Sequence, residues 1–84
     1  MKEEKRPLPD VAQLSAVQRK SANQQIGFLL REFPGKRIID LLPWIKRCCL
    51  ETVLAVALER VERRKDDLPI DDQVFLEGFK RSLG

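Results

Sequence analysis

The chain has 84 residues, 43% hydrophobic and 6% aromatic with no tyrosine, and a formal net charge of +3. A chain this short holds one domain with a marginal core, to which a second copy or a partner protein would add apolar burial. The absence of histidine removes the commonest general base, the commonest zinc ligand and the usual helper of a nucleophilic serine or cysteine, so catalysis has little footing.

Residues 1–9 are charged, carry Pro7 and Pro9 and have little to bury, so they are expected to form a flexible N-terminal arm to a single helical domain at 10–84. The same stretch has no apolar core of a secretory signal, which makes the cytoplasm the default location. Asp10 with Gln13, and Ser21 with Gln24, each have the spacing of a reciprocal helix cap. One helix, bent or shifting face near Ser21, is therefore expected over about 10–32 in preference to two shorter ones, with Ala22, Ile26, Leu29, Leu30 and Phe33 at helical spacing. Phe33-Pro34-Gly35 ends it. Residues 36–42 read equally as strand, turn or helix. Pro43 fits the first turn of a following helix, with Asp40 or Leu42 as its cap.

The stretch from Asp40 to Asp66 organises the rest. Leu50, Val53, Leu54, Ala57, Leu58 and Val61 form one helical face, and Leu41, Ile45, Cys48, Cys49, Thr52 and Val56 form the opposite one. Read as one long helix over 41–65, it has two apolar sides. The other helices of so small a chain cover one side, and the second either needs a partner or closes a purely internal core with Trp44 under the first helix; the partner is favoured. The run free of charge, Thr52 to Leu58, is too short to cross a bilayer. Beyond Asp66-Asp67-Leu68-Pro69, a last helix is expected over about 72–82. Asp71 would cap it, Ile70 would staple onto Phe75, and Val74, Phe75, Phe79 and Leu83 would face Leu54, Leu58 and Val61.

The fold expected is all-α, three to four helices around one long central helix, assembled as a homodimeric helical bundle. No cofactor and no metal is implied. Asp66-Asp67 and Asp71-Asp72 read better as solvated helix caps than as a cation site, and Cys48-Cys49 as a reduced pair of small core residues. The favoured function is a non-enzymatic module that binds and regulates another, unidentified protein through a helical surface. Its interface is placed at Leu41, Trp44, Ile45, Cys48 and Val56, since tryptophan buries much area with few rotors. The alternative is a basic, dimeric DNA- or RNA-binding regulator that contacts phosphate through Lys46, Arg60, Arg63 and Arg64. A helix-turn-helix drawn from the long helix and the last one would bring Asp71 and Asp72 toward the phosphates, which repels them.

Overall fold

The computed structural model describes residues 8–48 and 50–83. The expected arm therefore lies outside the described residues except for its end, and there Leu8 is half-buried and packs against the core. Asp10 caps only a short 3₁₀ turn, Val11–Gln13, by accepting from the Ala12 N–H at 3.1 Å. Leu14 then turns the backbone extended, and the first helix, α1, runs Ala16–Glu32. Its start is fixed by Ser15. The Gln18 N–H donates to Ser15 Oγ at 3.1 Å, and the Ser15 N–H donates to Gln18 Oε1 at 2.9 Å. Two orphan donors are satisfied at once, so the helix begins here rather than at Asp10, and it passes through Ser21 without interruption. Ala22, Ile26 and Leu29 are its buried residues. After Phe33 and Pro34 the chain turns at Gly35, whose φ of 86° lies in the left-handed region that favours glycine.

The ambiguous stretch is helical. Helix α2 spans Ile38–Arg47, beginning ahead of both expected caps. Asp40 sits in its first turn and accepts from the Arg37 N–H at 2.9 Å, and Pro43 lies inside the helix. The structure divides the expected long helix in two. At its C-terminal end the Leu50 N–H donates to Ile45 O at 3.4 Å, a six-to-one bond of the kind that closes helices. Leu50 leaves helical geometry, and α3 runs Glu51–Arg63. The break lets α2 fold back along α3, which is the most extensive contact in the molecule. The second apolar side meets the other half of the same stretch. Ile39, Leu41, Leu42 and Ile45 of α2 are buried, and so is every residue of α3 from Val53 to Ala57. Helix α3 is thus the centre, with α1 against another of its sides.

A 3₁₀ turn, Lys65–Asp67, leads into α4, Ile70–Leu83. The N–H groups of Asp72 and Gln73 both donate to Pro69 O, which starts this helix earlier than Asp71 would as a cap. Asp71 and Asp72 fall in its first turn, where the helix dipole favours them. The buried side of α4 is Leu76 and Phe79, with Leu83 half-buried. Val74 is 67% exposed, Phe75 41%, and Ile70 is also exposed, so none of the three forms the expected core stripe. Two ion pairs accompany this rotation. Asp72 pairs with Arg37 at 2.6 Å and Lys80 pairs with Glu62 of α3, and both lie on the side of Leu76. The backbone of α4 comes closest to α2 rather than α3. Arg37 meets Asp72 where both helices start, and Lys46 lies 5.9 Å from the Phe79 ring further along both, so α2 and α4 run in the same direction. One hydrophobic cluster joins residues of all four helices. Among the described residues no helix is long and apolar enough to cross a membrane.

Candidate functional site

Two of the exposed surfaces among the described residues hold the aromatic and the basic side chains. The first lies on α1. Val17, Ser21, Gln24 and Phe28 recur at i, i+4, i+7 and i+11 and form one outward stripe, well away from Ala22, Ile26 and Leu29. Phe28 is 54% exposed. Beside it a shallow groove of about 340 Å³ is lined by Ser21, Gln24, Gln25, Phe28, Leu29, Trp44 and Leu50, with no charged side chain among them. Trp44 is 38% exposed, and its ring packs against Phe33 at 5.6 Å between centroids and 59° between planes. This tilted contact fixes the indole at the groove's edge.

The second surface is a groove of about 500 Å³ between the first turn of α2 and the last turn of α3, lined by Arg37, Ile38, Ile39, Arg60, Val61, Arg63, Arg64 and Leu68. Arg37 is held on both sides. Its guanidinium bonds Asp40 at 3.1 Å and Asp72 at 2.6 and 3.3 Å. Hydrogen bonds that it donates to Asp40 and then to Asp72 raise the Arg37 pKa further above its ordinary value, so its charge is permanent. The same bond, with the Arg37 N–H, holds the Asp40 carboxyl below the usual range. Arg63 pairs with Glu59 at 2.8 Å. Arg60 Nη1 donates to the neutral Asn23 Oδ1 at 3.2 Å.

Of the interface residues expected from sequence, Leu41, Ile45 and Val56 are buried in the chain's own core and present no surface, because α2 folds back onto α3. Trp44 and Cys48 are exposed, the cysteine because it sits at the end of α2 rather than in mid-helix. Cys49 lies outside the described residues. Of the basic set, Arg60, Arg63 and Arg64 share the groove, whereas Lys46 is at the far end of α2 over Phe79. Sequence reasoning missed Phe28 and Arg37. Phe28 falls off the apolar stripe of α1 within a stretch, Ser21 to Leu30, that carries no charge, and that combination was its signal. Arg37 is marked by the acid three residues on, at Asp40.

Among the described residues no three histidine, cysteine, aspartate or glutamate side chains cluster to hold a metal ion. No protein-family model matches the chain, and no curated protein or solved structure is significantly similar to it.

Proposed function

We propose that the chain is a small non-enzymatic interaction module that works as a homodimer and binds and regulates another protein, with the α1 face and Trp44 as the surface between copies. The observation that carries this reading is the uncharged groove with an exposed Phe28 and Trp44 in a chain that is 35% charged. Depletion of charge around exposed aromatics marks the centre of protein interfaces. A two-fold axis sets a surface against itself, so any charge on it meets its like. An uncharged face avoids that repulsion in a chain of net charge +3. The stripe is also self-complementary. Val17 and Phe28 lie about 16 Å apart along α1 at 1.5 Å per residue, and the midpoint falls between Ser21 and Gln24. Antiparallel pairing of two α1 helices sets Val17 against the second copy's Phe28 and the reverse.

Sedimentation at micromolar concentration tests the assembly. About twice the 9.7 kDa of one chain is expected. Phe28→Glu should give a folded monomer, because Phe28 lies outside the core. Ile45→Asp would instead unfold the chain, since it places a carboxylate in a fully buried site. A monomer in the unmutated protein overturns the dimer. The nucleic-acid reading stays second. It is supported by Arg37 joining Arg60, Arg63 and Arg64 in one groove, and opposed by Asp40, Asp72 and Glu59 at the same rim.

A further inference from the structure

We infer that the arginine groove between α2 and α3 is a docking site for an extended acidic segment of the partner protein, one in which acidic and apolar residues alternate. This rests on the reading of the chain as a module that binds another protein, and it supplies the chemistry of that partner.

The argument begins with what the four guanidinium groups are already doing. Arg37 faces two carboxylates and Arg63 one, so their charges are offset within the fold. Arg60 meets only a neutral amide, and Arg64 has no hydrogen-bond or ion-pair partner among the described residues. Two charges are therefore left over on one helix end. Arg60 and Arg64 are one turn apart, which puts their Cβ atoms about 5–6 Å from each other. A planar guanidinium matches a carboxylate in two parallel hydrogen bonds.

The rest of the lining is apolar. Ile39 and Val61 are buried, and Ile38 and Leu68 are half-buried against the core. The groove thus sets the arginines at the end of α3 beside half-buried Ile38 of α2 and Leu68 ahead of α4. An extended peptide presents alternate side chains to opposite sides, and those on one side repeat every two residues, about 6.6 Å. That repeat fits the spacing of Arg60 and Arg64. A chain reading acid, apolar, acid would set both carboxylates on the guanidiniums and the residue between them on half-buried Ile38. A volume of about 500 Å³ is ample for such a tripeptide.

The composition of the groove also ranks the polyanions below the peptide. No aromatic side chain lines it, so unstacked bases have nothing to stack on. Asp40, Asp72 and Glu59 border it and repel a phosphate backbone that continues past the two free arginines. A peptide with two or three carboxylates ends before it meets them.

The test is a titration of the full chain, followed through its backbone amide resonances, with a blocked pentapeptide alternating glutamate and leucine. The controls are the same peptide with glutamine in place of glutamate, and a ten-residue oligothymidylate. The acidic peptide is expected to shift the amides of Ile38, Ile39, Val61 and Leu68, with a dissociation constant below about 1 mM that weakens as salt is raised. The pair Arg60→Gln and Arg64→Gln, both at exposed positions, should weaken binding at least tenfold with the melting temperature unchanged. Glu59→Gln releases Arg63 and should tighten binding, a gain that damage to the fold does not produce. Equal binding of the glutamine peptide, tighter binding of the oligothymidylate, or no shift at these four amides overturns the inference. Because Phe28 lies outside this groove, the mass measured by sedimentation is independent, and loss of either result leaves the other standing.

Discussion

Phe75 and Phe79 are one turn apart on α4 and stack at 5.9 Å between centroids, yet they do different work. Phe79 is buried in the core cluster, whereas Phe75 keeps 41% of its surface exposed. Phe79→Ala should therefore cost about 3–5 kcal/mol, the range for deleting a core phenylalanine. Phe75→Ala should cost less, about 1–3 kcal/mol, from its ring pair and its partial burial. Denaturant unfolding of the two variants checks this, and equal losses would contradict the rotation of α4 described above. That rotation was only half legible. Phe79 and Leu83 follow from helical spacing, but Leu76 was passed over and Val74 was placed inward. What decides between them is the folded core, in which Leu76 is fully buried and Val74 is not; the pairs of Asp72 with Arg37 and Lys80 with Glu62 lie on the same side as Leu76.

Helix ends were readable where a proline or glycine breaker was local, less so where two serines offered the same cap, and unreadable where a distant helix decided. The Pro34-Gly35 turn and the end of the last helix's lead-in at Pro69 are of the first kind. The break after Cys48 is of the last. Cys48-Cys49-Leu50 contains no proline or glycine, and its apolar positions run on without a gap. It interrupts the helix because two apolar faces of one stretch bury more when folded against each other. The expected dimer seam of Leu41, Ile45 and Val56 disappeared with that fold. Ser15 was missed because Ser21 offers the same pattern of serine and glutamine six residues later, and only Ser15 has a non-helical residue, Leu14, before it. The start of α2 has a pH signature. Bonding to Arg37 holds the Asp40 carboxyl below its ordinary 3.8, so the stability it adds is complete above that pH and is lost as pH falls through the lower folded value. Asp40→Asn should thus be less stable than the parent at pH 7, and the gap should close as pH drops below 3.8, measured by denaturant midpoints at both pH values. The pair is solvent-exposed, so the gap is small.

At the scale of the whole molecule, the four helices are held very unequally. Helix α3 lies between α1 and α2 and buries five residues in succession, while α4 inserts only Leu76 and Phe79 fully and is otherwise tied by ion pairs at the surface. Surface ion pairs contribute little each. Among the described residues none covers the outer side of α4, where Ile70 and Val74 face solvent. Opening free energy should therefore be distributed along the chain in the order of that anchoring. Amide hydrogens of α4 are expected to exchange through a partial opening that leaves α1, α2 and α3 protected, and those of Val53 to Ala57 only when the whole chain unfolds. Exchange measured across a series of low denaturant concentrations would show α4 as a separate, shallower isotherm, and a single common isotherm for all four helices would refute it. A protein of 84 residues would then possess two cooperative units, with the last helix opening and closing on a clock of its own.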